Sequence, residues 1–274
     1  MTLIQSIILG IIQGATEFLP ISSSGHLVIV PFVFGWEIPN GEAFIFDVLV
    51  QVATLTAVFA YFWREIGLIS CAVIAGIRQR KPFESSFARL GWLLILSTLP
   101  AIVLGLLLKE QITRAFENPL TSAIGLLVTA GLLVVAERVG KRQRRMKNLT
   151  WIDSLMIGLF QVLALFPGVS RSGSTITGGM VRDLKRPPAA RFAFLMSIPV
   201  MIAAGTLAAL DLLALPNTLS LLPTYIPGFF AAAFVGYLAI RWLIKYLARH
   251  SLYVFAVYCT LLSLITITLV LIRN

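Results

Sequence analysis

The sequence predicts an all-α integral membrane protein, with six transmembrane helices and two re-entrant helical hairpins arranged as an inverted-topology repeat. Three observations lead there. Of 274 residues, 58% are apolar and 12% charged, with a mean hydropathy of +0.91, whereas a soluble chain carries roughly 25% charged residues. Six apolar runs are long enough to cross a hydrocarbon core, which takes about 20 helical residues. The chain also matches itself at one fixed offset. A soluble enzyme, a disordered chain and a nucleic-acid-binding domain are excluded by this composition. The net charge of +10 is then a matter of loop topology and implies no nucleic-acid partner.

Residues 3–34 come first and do not read as a span. Gly10, Gly14, Pro20, Ser22, Ser23, Ser24, Gly25 and Pro31 interrupt them, giving a helix, a polar turn and a second short helix. Residues 1–14 lack the basic start and cleavage site of a signal peptide and are read as retained. Three spans follow at 44–62, 90–108 and 120–137, then a basic loop at 138–148. Residues 152–180 repeat the broken pattern, with Gly158, Pro167, Gly168 and a polar run at 170–175. Spans at 192–210, 225–243 and 252–272 complete the chain. Non-helical backbone at membrane depth survives only where protein or a water-filled cavity satisfies it, so each broken segment is read as a hairpin buried among the spans. Cys71 and Cys259 lie in apolar stretches and exclude a disulfide scaffold.

If the six spans simply alternate, 18 of the 22 basic residues fall on one side. Lys109, Arg114 and Arg273 fall on the other, and Arg171 sits in the second hairpin. The basic side is the expected cytoplasmic one, with both termini outside.

An offset of 148 residues pairs Ile4, Ser6, Gly10, Gln13, Phe18, Ser22, Ser24 and Gly25 with identical residues at 152, 154, 158, 161, 166, 170, 172 and 173. It continues through Phe44, Phe46 and Val52. The whole chain, 1–274, therefore reads as one membrane domain made of repeat one, about 1–137, and repeat two, about 149–272. The second copy begins after an odd number of spans, so the halves are inverted. Such repeats place a polar site near the midplane, where the broken helices meet.

The first tip offers Gln13 and Glu17 on one helix face, one turn apart, followed by Ser22, Ser23, Ser24, Gly25 and His26. A carboxylate in this setting is functional by default, and three serines at a helix start form a ready anion site. Glu17, His26 and a serine hydroxyl are the parts needed to activate an attacking group. The second tip offers Ser170, Arg171, Ser172, Gly173, Ser174 and Thr175. Arg171 brings a fork of donors suited to phosphate oxygens. At the 148-residue offset it replaces Ser23, while Ser174 replaces His26 and Leu165 replaces Glu17. One tip thus holds acid, base and hydroxyls and the other holds the cation, which points to chemistry on an anion.

Gln13-x-x-x-Glu17 with the following Phe-Leu-Pro-Ile-Ser-Ser-Ser-Gly-His, and Pro167-Gly-Val-Ser-Arg-Ser-Gly-Ser-Thr, resemble the two signature motifs of the BacA-type undecaprenyl-pyrophosphate phosphatases. The likeness spans nearly the whole chain. It implies a bacterial inner-membrane enzyme of bacitracin resistance that removes the terminal phosphate of a C55 isoprenyl pyrophosphate. That reaction recycles the carrier lipid for cell-wall synthesis. The resemblance also implies a divalent cation, Mg²⁺ or Ca²⁺, a site open to the periplasmic side, and Glu17, Ser23, His26 and Arg171 as catalytic residues. Ser22, Ser24, Gly25, Ser170, Ser172, Gly173 and Thr175 would line the phosphate. Glu17, Gln13 and Asp47 are candidate metal ligands; the family also admits Glu at the position of Gln13, so the metal is expected to lean on substrate phosphates. Ser23, His26 and an activated water stay open as nucleophile, and a homodimer is left open. A phosphatidic-acid phosphatase reading fails because no histidine follows Arg171 before His250. A lipid flippase or secondary transporter using the same midplane site is the competing reading.

Overall fold

The computed structural model describes residues 1–116, 118–213 and 218–273, and the described residues are helical. Hairpin one is α1 (Leu3–Phe18) and α2 (Ser23–Phe34), and three longer elements follow: α3 (Asn40–Arg78), α4 (Ser86–Leu107) and α6 (Pro119–Val139). The short helix α5 (Lys109–Phe116) precedes α6 and was not expected from hydropathy. Hairpin two is α7 (Trp151–Leu163) and α8 (Arg171–Val181), followed by α9 (Arg186–Leu213), α10 (Thr218–Leu247) and α11 (Tyr253–Arg273). Six helices, α3, α4, α6, α9, α10 and α11, are long and apolar enough to cross a membrane. The protein is a multi-pass membrane protein.

All the spanning helices but α11 are longer than the spans read from hydropathy. α3 does not stop at residue 62 but resumes after a kink at Phe62, φ −103° and ψ 15°, and runs to Arg78. Arg64 and Glu65 resemble the start of a loop in sequence. Glu65, however, is ion-paired with Arg191 of α9, whose guanidinium lies 5.8 Å from the Phe62 ring centroid, so the helix carries the charge onward.

The 148-residue offset reappears in the local hydrogen bonding. Thr2 caps α1 in a capping box with Gln5, and Thr150 caps α7 in one with Asp153. Ser22 Oγ accepts from Gly25 N at 3.2 Å, and Ser170 Oγ accepts from Gly173 N at 3.0 Å. These caps satisfy amides that a helix start leaves open. α1 then ends because Pro20 disfavours helix in the residue before it.

The packing is reciprocal across the repeats. α1 lies on α10, where a Cβ at Gly10 would strike the Gly228 backbone. α7 lies on α4, where a Cβ at Gly158 would strike the Ser97 carbonyl. The first helix of each hairpin therefore rests on a long helix from the other half of the chain.

The two hairpins open toward opposite ends of the bundle. At one end, Arg144 and Arg182 grip Asp153 at the start of α7, with the shortest contacts 2.6 Å. Beside them Arg142 and Arg186 grip Glu137 at the end of α6, which also accepts from Leu252 N at 2.8 Å. At the other end, Tyr225 donates to Glu42 at 3.2 Å, and Arg273 donates to the carbonyls of Phe32 and Val33 at the end of α2.

Asp153 is fully buried. Burial opposes its charge, but hydrogen bonds from Arg144, Arg182 and Thr150 outweigh burial and hold the carboxyl well below the usual carboxylate range. Because the folded pKa lies below the unfolded one, this cluster stabilises the fold above about pH 4 and loses its contribution as pH falls through the folded value. Asp153→Asn is expected to cost about 2–3 kcal/mol near neutral pH, the low end for a buried pair because both arginines retain solvent contact. Thermal unfolding in detergent at pH 7 and about pH 2 checks this: the gap between wild type and variant should narrow at the lower pH, which lies below the unfolded carboxyl's pKa.

Candidate active site

The tips meet between the two ends. Gly25 of α2 faces Gly168 of the second tip, where a Cβ on Gly25 would stand 3.2 Å from the Gly168 Cα. Ser172 Oγ donates to the Leu19 carbonyl across the junction at 3.0 Å. Each tip is also held from outside its hairpin. Thr129 of α6 donates to the Gly168 carbonyl at 3.1 Å and accepts from Ser170 N at 2.9 Å. At the matching position of the other tip, Cys259 Sγ of α11 meets the Pro20 carbonyl at 3.8 Å.

Glu17 is the hub. Its Oε1 accepts from the Arg171 guanidinium, and its Oε2 accepts from Ser23 Oγ at 2.5 Å and from Gln13 Nε2 at 3.1 Å. Glu17 is buried, with its side chain 6% exposed against 25% for Arg171. A buried carboxylate needs such compensation, because uncompensated charge in an apolar setting costs several kcal/mol. One hairpin thus supplies acid and hydroxyl, the other the cation, and the two join directly.

The serines flanking this hub repeat each other. Ser22 and Ser24 hydroxyls lie 3.3 Å apart, and Ser170 and Ser172 hydroxyls 3.1 Å apart. Ser22 holds φ +70°, whereas Ser170 sits at −70°. A non-glycine residue in that region is strained by roughly 1–3 kcal/mol; here the cap to Gly25 and the bond to His26 hold it. Gly173 N is spent on its own cap. Thr175 is buried and donates to the Arg171 carbonyl at 2.7 Å, so its hydroxyl serves the helix backbone and does not face the junction. Ser174 is buried with an unpartnered hydroxyl.

His26 does not join Glu17 or Ser23, although sequence proximity suggests it. It lies one helical turn beyond Ser22, and its ring folds back so that Nδ1 meets the Ser22 carbonyl at 2.7 Å. Its Nε2 meets Tyr258 Oη at 2.7 Å. Tyr258 was missed in the sequence because nothing distinguishes it from other aromatic residues within an apolar span.

A cavity of about 310 Å³ runs from Gln13, Ser23 and Ser24 past Asp47 to Trp36 and Ile38. Asp47 lines it without a hydrogen-bond partner among the described residues. No three acidic, histidine or cysteine side chains gather into a metal cage among the described residues. Gln13 Oε1 is buried and unpartnered, which leaves a hard oxygen donor beside the Glu17 carboxylate.

Fold and site together define a class: a polytopic helical membrane protein that encloses a carboxylate, a hydroxyl and a guanidinium between two hairpin tips. Residues 6–265 match the family described as bacitracin resistance protein BacA, and the chain belongs to that family. It is 42% identical to an undecaprenyl-diphosphatase of Chlorobium phaeovibrioides, over 98% of this chain and 97% of the relative. It is 43% identical to one of Chlorobaculum tepidum, over 96% and 95%, and 42% identical to one of Thermomicrobium roseum, over 97% of both.

Proposed function

We propose that the protein hydrolyses undecaprenyl pyrophosphate to undecaprenyl phosphate and inorganic phosphate, recycling a carrier lipid of the bacterial inner membrane. The observation that carries this reading is the Ser23 hydroxyl donated to Glu17 while Arg171 of the other repeat closes on the same carboxylate. A nucleophile, its base and an electrophilic clamp for phosphate oxygens thereby meet at one point. Transport alone requires no hydroxyl held on a carboxylate.

In this reading Ser23 Oγ attacks the terminal phosphorus and Glu17 takes its proton. The bridging P–O bond breaks, and undecaprenyl phosphate leaves with the electron pair. Glu17 passes that proton on to the departing phosphate; water then attacks the phosphoserine and gives a proton to Glu17, which returns it to Ser23 Oγ as the Oγ–P bond breaks and inorganic phosphate leaves. Arg171 follows the charge on the transferring phosphoryl group. Glu17 and the unpartnered Gln13 Oε1 are the protein oxygens that would hold a divalent cation, with substrate phosphate oxygens as its other donors. Such an ion, when bound, would neutralise pyrophosphate charge.

The end clasped by Arg142, Arg144, Arg182 and Arg186 is assigned to the cytoplasm. Hairpin one then re-enters from the periplasm and hairpin two from the cytoplasm. The cavity supports a periplasmic opening, since it leads from Ser23 to Trp36 and Ile38, away from the cationic end.

The test is release of inorganic phosphate from undecaprenyl pyrophosphate by purified protein in detergent. No release by the wild type would sink the proposal. Ser23→Ala is expected to lower kcat by at least about 10³-fold, since removing the nucleophile of a hydrolase costs more than that. Full turnover in that variant would move the attack to water.

A further inference from the structure

Ser23 and His26 lie three residues apart on the first turn of α2, yet they face different partners. A carbonyl oxygen only accepts, so the contact with the Ser22 carbonyl places the imidazole proton on Nδ1. In the neutral ring Nε2 is then an acceptor, and Tyr258 Oη donates to it. The two rings are parallel within 2°, with centroids 5.7 Å apart. His26 is 6% exposed and Tyr258 41%, so the partner reaches in from the outer face of α11.

The position of Tyr258 is set by its neighbour in the chain. Cys259 is buried against the Pro20 carbonyl of the first tip, which registers α11 against the turn that carries Ser22. Glu17 on α1 is occupied by Arg171, Ser23 and Gln13. His26 therefore depends on Tyr258 for the partner of its second nitrogen.

We propose that Tyr258 is a positioning residue for phosphoryl transfer: the Ser22 carbonyl sets the Nδ1–H tautomer of His26, and the Tyr258 hydroxyl holds the far end of that ring, fixing the turn of α2 that carries Ser23. This rests on the phosphatase reading. A phenol suits the task because it has both a proton and lone pairs. It donates to Nε2 while the ring is neutral and, by turning its hydroxyl, accepts from Nε2–H once the ring has taken a proton. The ring keeps one orientation through both protonation states. Without the hydroxyl, the ring is held at Nδ1 alone and can tilt away from α11, and the Ser22–Ser23 turn loses that support.

The chain has two histidines, His26 and His250, so the tautomer can be read directly in protein labelled with ¹⁵N-histidine. His250→Gln assigns the signals. The wild type should show the Nδ1–H pattern at His26. Tyr258→Phe, which keeps the ring and removes one oxygen, should shift the Nε2 resonance, which loses its hydrogen bond, and lower kcat by at least about tenfold, part of the roughly 100-fold that a 1 Å misplacement costs, with KM within about twofold of wild type. The proposal is overturned by an Nε2–H pattern in the wild type. It is equally overturned if Tyr258→Phe leaves either the nitrogen spectrum or kcat unchanged. A wild type that releases no phosphate but shows the Nδ1–H pattern would instead overturn the phosphatase reading, since the spectrum needs no substrate.

Discussion

Arg171→Ala is expected to lower kcat/KM for phosphate release by at least about 10³-fold, because the guanidinium is the cation supplied by the second tip and an arginine following phosphoryl charge is worth about 10³–10⁵. The same change should destabilise the protein by about 3 kcal/mol, since it leaves the buried Glu17 carboxylate without its cation. These effects can be separated. Replacing both partners, Glu17→Gln with Arg171→Gln, removes the orphaned charge and should recover much of the thermal stability while activity stays lost. Arg171→Lys should fall between wild type and Arg171→Ala, since an ammonium keeps the charge without the fork. Unfolding temperature and phosphate release, measured on the same preparations, decide the matter. An Arg171→Ala protein with turnover within tenfold of wild type would remove the guanidinium from the reaction.

Gly168→Ala should be the most damaging small substitution at the junction. Gly168 sits at φ +80°, and an added Cβ would collide with the Ser122 carbonyl of α6. The left-handed conformation costs an alanine about 1–2 kcal/mol. The collision adds to that, because Thr129 ties both Gly168 and Ser170 to α6 and keeps the tip from sliding away. A total of about 3 kcal/mol is expected. Turnover should fall by about 100-fold, the cost of displacing a reacting group by about 1 Å. Gly131→Ala, in the same helix with open space at its Cβ, is the control and should leave both quantities near wild type.

Much of this was legible in the residues, for identifiable reasons. The spans follow from hydropathy, and the hairpins from Pro20 and from Pro167 with Gly168. The offset of 148 pairs Ser22 with Ser170, but that both would cap their helices was not read from it. Glu17 and Arg171 could be singled out because charge is expensive among apolar neighbours. Their direct contact could not, since it depends on how two hairpins of opposite entry dock. His26 shows the limit more sharply. Its neighbours in sequence suggested Glu17 and Ser23 as partners, but a ring one turn into a helix is aimed by what packs beside it, here α11. The run of α3 beyond Phe62 was hidden for a similar reason, because Glu65 is tolerated only through Arg191 more than 100 residues away. Thr129 and Tyr258 hold the tips by single hydroxyls and leave no periodic trace.

The reciprocal seating of α1 on α10 and α7 on α4 also has a bearing on biosynthesis. Glu17 emerges from the ribosome 154 residues before Arg171, and at about 5–20 residues per second that gap lasts on the order of 10 s. α10, the support for α1, emerges later still. During that interval the first hairpin has neither its counter-charge nor its packing surface. It must wait at the membrane interface or within the insertion machinery, and assembly of the junction is therefore an event of late translation.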